Sequence, residues 1–140
     1  MRASLLAIGL AGLLAPAALA EEPFEGRWTA VSAERDGASA PDLLGHRLSF
    51  DGDAFRIIDA EGSALYAGTY AADRGATPAT IDFATTDGNA PGPSWAGIWR
   101  QDGGTLTIVD NAPDPTRPRP TGFSAPAGSG YVMLVFLRME

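Results

Sequence analysis

The sequence predicts an all-β protein, an eight-stranded antiparallel up-and-down barrel with a short helical turn near residues 41–45. Three observations carry that expectation. Short runs suited to single strands, several of them alternating apolar and polar, recur along the chain. Breaks rich in Gly, Asp and Pro separate them roughly every 8–15 residues, the rhythm of an antiparallel barrel or sandwich. Strands in hairpin order, eight in number here, can close on themselves and leave no free edge.

The first residues stand apart from that pattern. Arg2 is a basic start, Ser4 to Leu14 an apolar run, and Ala18-Leu19-Ala20 an A-x-A cleavage site. Residues 1–20 are therefore expected to be a signal peptide, and residues 21–140 a single exported domain, periplasmic or extracellular. The apolar run is too short for a permanent span, so no membrane insertion is expected after cleavage. The chain contains no cysteine, which rules out disulfides and a lipid-anchored cysteine. Its formal charge of −7 becomes −8 once Arg2 is lost. Such an acidic surface disfavours nucleic acid and anionic membranes as partners.

Arg27 to Glu34 reads as the first strand, with Trp28, Ala30 and Ser32 on one face and Thr29, Val31 and Ala33 on the other. Asp36-Gly37 breaks it. Pro41 and Asp42 ahead of Leu43-Leu44 predict one helical turn. Arg47 to Phe50 and Ala54 to Asp59 form a hairpin around Asp51-Gly52-Asp53, placing Leu48 and Phe50 on the face of Phe55 and Ile57. Ala64 to Ala72 and Ala79 to Thr85 follow, the latter with Ile81 and Phe83 on one face; Asp87 to Pro93 is expected as loop. Trp95 to Gln101 and Thr105 to Asp110 form a hairpin, with Leu106 and Ile108 pointing one way and Thr105, Thr107 and Val109 the other. Asn111 to Gly130 is irregular. Tyr131 to Arg138 is the last strand, apolar on both faces, so one face needs cover from the turn near Leu43-Leu44, the Pro-rich loop or a partner.

Gly26-Arg27-Trp28 resembles the G-x-W that opens lipocalins, and Arg138 stands where lipocalins carry a basic residue over that tryptophan. Further segments include Val31 to Gly37, Leu48 to Asp53, Gly68-Thr69-Tyr70, Gly97-Ile98-Trp99, Asp102 to Leu106 and Gly128-Ser129-Gly130. Together they are similar to a lipocalin-like domain family of unknown function common in planctomycetes. Gly104 and Gly122 depart from that pattern. The resemblance implies a barrel closed by Gly26, Trp28 and Arg138, and carries no activity with it. Arg138 is expected to stack on the Trp28 indole, within the roughly 6 Å that a cation–π contact requires.

Catalytic and metal-binding constellations are not visible. His46 is the only histidine, which excludes a multi-histidine metal site, and nothing in the sequence supports a Ser-His-Asp set built around it. An EF-hand loop counted from Asp51 fails, with Arg56 in the glycine position and Gly62 in the twelfth. Gly128-Ser129-Gly130 precedes a strand and so lacks the helix N-terminus that cradles phosphate. No enzyme activity, cofactor or metal is expected.

Two features point to binding. Trp95 and Trp99 flank Gly97 on one strand face, either a stacking floor for a planar or apolar ligand or simply barrel core. Arg117 and Arg119 alternate with prolines, either an anion clamp or local salt-bridge partners. The leading expectation is an exported lipocalin-like domain that binds a small apolar or amphipathic ligand. The alternative is a protein-interaction or inhibitor-like module without a cavity, docking through the Pro-rich loop or an outer face near Val132, Leu134 and Phe136.

Overall fold

In the computed structural model, which describes residues 25–88, 94–112 and 114–139, nine strands form one antiparallel sheet. They are β1 (Gly26–Arg35), β2 (Ala38–Ser39), β3 (Arg47–Asp51), β4 (Ala54–Ile58), β5 (Ala64–Asp73), β6 (Thr80–Gly88), β7 (Ser94–Asp102), β8 (Thr105–Asp110) and β9 (Val132–Arg138). From β3 to β9 each strand pairs with the next, and β1 lies between β3 and β9. That last pairing closes β1 and β3–β9 into an eight-stranded barrel. A 3₁₀ turn, Pro41–Leu43, has its proline at the first turn, where a missing N–H costs nothing. Residues 1–20, Pro113 and most of the expected 87–93 loop lie outside the described residues.

β2 was not expected. Asp36 and Gly37 adopt φ of 55° and 85°, the left-handed pair of a two-residue hairpin turn. Ala38 and Ser39 thereby pair back onto Arg35 and Glu34. The face assignment along β1 also needs correction. Opposite β9 the register slips between Ala30 and Ser32, so Val31 is the extra residue of a bulge. Trp28, Ala30 and then Ala33 are buried, while Ser32 is exposed. β6 runs past Thr85, because Asp87 and Gly88 still pair with Ala67 and Tyr66.

The end of the barrel that carries the 51–54 and 102–105 turns is filled. Trp28 is fully buried there, and Phe50, Leu106 and Phe136 join the same core cluster. Edge-to-face pairs extend it inward, Phe50–Tyr70 at 4.6 Å and Phe55–Phe83 at 4.9 Å between ring centroids. The Arg138 guanidinium carbon lies 4.3 Å from the Trp28 ring centroid, inside the cation–π range, and its Nη1 donates to the Glu25 carbonyl at 2.9 Å. At φ +109° Gly26 holds a conformation most residues avoid, with Arg138 Nη1 beside it.

Val132, Leu134 and Phe136 face the interior, not the outside as the docking alternative required: Phe136 belongs to the core and all three line a cavity. The outer face of β9 is Met133, Val135 and Leu137. Residues 114–130 form a strap over a different face. Arg119 donates to the carbonyls of Ile81 and Gly97 at 3.2 and 2.9 Å and to Asp82 at 2.8 Å. Phe123 lies under Arg100, 4.3 Å from guanidinium carbon to ring centroid. Asp36 Oδ1 accepts from the Gly128 and Gly130 N–H groups at 2.8 and 2.9 Å, tying down the far end. Outward-facing Ile98, Thr107 and Val109 are accordingly buried.

Candidate functional site

Strand register sends Leu106, Ile108 and Asp110 of β8 to the same inner face. Ile108 pairs with Trp99 and Leu134, and Asp110 with Gly97 and Val132. The filled end takes the first of these layers. Toward the other end the barrel holds a cavity of about 390 Å³, at the small end of the range for ligand pockets. Its walls are mainly apolar and aromatic: Ile57, Tyr66, Phe83, Trp95, Ile108 and Leu134. At the rim stand Leu43 of the 3₁₀ turn, His46, Arg47, Leu65 and Arg35.

The wall aromatics are held by one another. The Trp95 ring stacks on Phe83 at 5.3 Å and meets the edge of Tyr66 at 5.4 Å. Such mutual packing fixes the chamber's shape before anything enters.

Asp110 is the one acidic side chain among the described residues that line this cavity. It is 5% exposed. Oδ1 accepts from the Ala112 N–H at 3.0 Å; among the described residues no cation approaches the carboxyl within 4 Å. Burial pushes its pKa up from 3.8 to about 7, with the Ala112 hydrogen bond acting in the opposite direction. The rim cations are differently placed. Arg35 makes a two-pronged bond to Asp42 at 3.0 and 3.3 Å, and that bond holds the exposed Asp42 carboxyl below its usual range.

The residues expected to bind ligand are separated by the fold. Trp95 lines the cavity. Trp99 packs in the barrel core and donates its indole N–H to the Thr80 carbonyl at 2.9 Å. Gly97 is not an opening between two indoles: a Cβ there would fall 2.5 Å from the Val109 carbonyl oxygen and 2.9 Å from Asp110 Cβ. Glycine is needed for close approach of β8. Arg117 and Arg119 lie on the strap. Arg117 donates to the Ser129 carbonyl at 2.7 Å and pairs with Asp114 at 3.5 Å, while Arg119 holds the sheet as described. Both guanidiniums secure the strap, away from the chamber.

Asp110 was missed as a site residue, although the signal was present. The alternation read through Leu106 and Ile108 continues by one step to Asp110. A second depression of about 300 Å³ lies between β5–β7 and the strap. Asp82 on its edge is already engaged by Arg119, so the barrel chamber is the better site. Comparison with family models, with curated proteins and with solved structures finds no match to the chain.

Proposed function

We propose that this chain is an exported, lipocalin-like binding protein that carries a small, mainly apolar molecule in the open end of its barrel. One observation supports the reading above all: a roughly 390 Å³ chamber walled by apolar and aromatic side chains in a barrel whose opposite end is filled. The barrel order and the Arg138–Trp28 stack agree with the lipocalin resemblance. The alternative of a docking module has less support, because Arg117 and Arg119 are engaged within the strap and the Val132 face points inward.

Isothermal titration with straight-chain primary alcohols tests it. Each CH₂ buried is worth about 0.8 kcal/mol, so affinity rises about three- to fourfold per carbon until the chamber is full. Leu134→Trp, which fills the space, removes binding while circular dichroism retains the β signal. Wild-type protein that shows no chain-length dependence would overturn the proposal.

A further inference from the structure

The chamber's lining is mainly apolar, with Arg35, His46 and Arg47 at the rim and one carboxyl in its wall, Asp110, to which no cation among the described residues comes within 4 Å. Asp110 points inward by register, lines the cavity and is 5% exposed. Its Oδ1 is satisfied by Ala112; Oδ2 makes no hydrogen bond to any described residue. Among the described residues Oδ2 is not one of the fully enclosed side-chain atoms that lack a partner, so it keeps access to the chamber and can accept a hydrogen bond from what enters it. The other charged or titratable side chains lining the chamber are Arg35 from β1, His46 and Arg47 at the start of β3, and Tyr66 from β5. Arg35 is occupied by Asp42. Trp95 and Tyr66 add aromatic faces, which attract a cation.

We propose that the chamber's ligand is a small apolar amine, its nitrogen bonded to Asp110 Oδ2 and its hydrocarbon body packed toward Phe83, Ile108 and Leu134. The inference rests on reading the chamber as a binding site and names the class of molecule it takes. An alkylammonium group supplies the missing cation, and its N–H donors match the unused oxygen. Because burial raises Asp110 to about 7, an ammonium ion that binds below that pH displaces the Asp110 proton to solvent. Affinity for the amine therefore rises with pH through neutrality and levels off above it, whereas affinity for a neutral analogue stays flat. An anionic amphiphile behaves oppositely, since it meets a developing negative charge at Asp110.

The experiment compares 1-octylamine, 1-octanol and octanoate by isothermal titration at pH 6 and pH 8, on the full chain and on Asp110→Asn. At pH 8 octylamine binds wild type at least tenfold tighter than octanol. At pH 6 that preference shrinks about tenfold, the change in ionised fraction across a pKa near 7. In Asp110→Asn the preference disappears and octanol still binds. Equal binding of amine and alcohol by wild type at pH 8 overturns this inference while leaving the apolar-carrier reading standing. Tightest binding of octanoate overturns it too, and places the recognised head group on the rim arginines. Absence of binding by all three overturns both.

Discussion

Asp110→Asn tests the chamber's electrostatics without any ligand. Asn has nearly the same shape, and its Oδ1 still accepts from the Ala112 N–H. What it lacks is an ionisable group in an apolar wall. Raising a carboxyl from 3.8 to about 7 is worth roughly 4 kcal/mol between its two protonation states. Its direction follows from proton counting. Below pH 4 both native and unfolded chains hold the proton, and the carboxyl costs nothing extra. Between pH 4 and 7 the unfolded chain releases it and the native chain keeps it, so stability falls as pH rises. Above pH 7 both are ionised and the loss is complete. Urea denaturation of wild type and Asp110→Asn at each pH from 4 to 8 is the assay. The stability difference between them grows in favour of Asn across that range, by up to roughly 4 kcal/mol. Parallel curves would refute the reasoning, since they require Asp110 to be hydrated or paired with a cation in the native protein.

The remaining predictions concern how the barrel holds its shape. Gly97→Ala forces a methyl against the Val109 carbonyl and Asp110 Cβ; a loss of about 1–3 kcal/mol appears in thermal denaturation, together with weaker octanol binding as β8 shifts. Arg119→Ala removes two carbonyl bonds and one carboxylate bond from a side chain about one-third exposed. Stability drops by about 1–2 kcal/mol, hydrogen exchange quickens across residues 114–130, and octanol affinity is unchanged. Arg138→Ala removes the stack on Trp28 and the bond to Glu25, lowering stability by about 1–2 kcal/mol; an unchanged unfolding midpoint would show the stack to be incidental.

Much of the barrel was legible because its strands are short, regularly punctuated and connected as hairpins. Asp51-Gly52-Asp53 and Asp102-Gly103-Gly104 mark turns by composition, and turn length fixes the register that puts Leu48 opposite Ile57 and Phe50 opposite Phe55. The first strand shows where such reading stops. Val31 has no unusual composition, yet a one-residue bulge there exchanges the faces of Ser32 and Ala33. A bulge is decided by what the opposite strand presents, and β9 lies a hundred residues away. The same limit applied to Val132, Leu134 and Phe136. A strand apolar on both faces leaves the inward side undetermined until its partners are known. Arg117 and Arg119 looked available because their partners are mostly backbone carbonyls, and a carbonyl leaves no trace in a residue pattern.

The motif that was easiest to read locates the site by elimination. Trp28 and Arg138 are cross-strand partners in the pairing that joins β1 to β9. Their indole–guanidinium stack closes one end, where Phe50, Leu106 and Phe136 complete the packing. Alternating residues continue up each strand, but the layer above is only partly filled. Gly97 contributes no side chain, and Asp110 a short one, where large apolar residues would have sealed the barrel. The glycine lets β8 approach β7, and the space over it is taken by the Val109 carbonyl and Asp110 Cβ. With the Trp28 end filled, the chamber lies toward the other, and it is there that the proposed amine would meet Asp110 beside the aromatic walls.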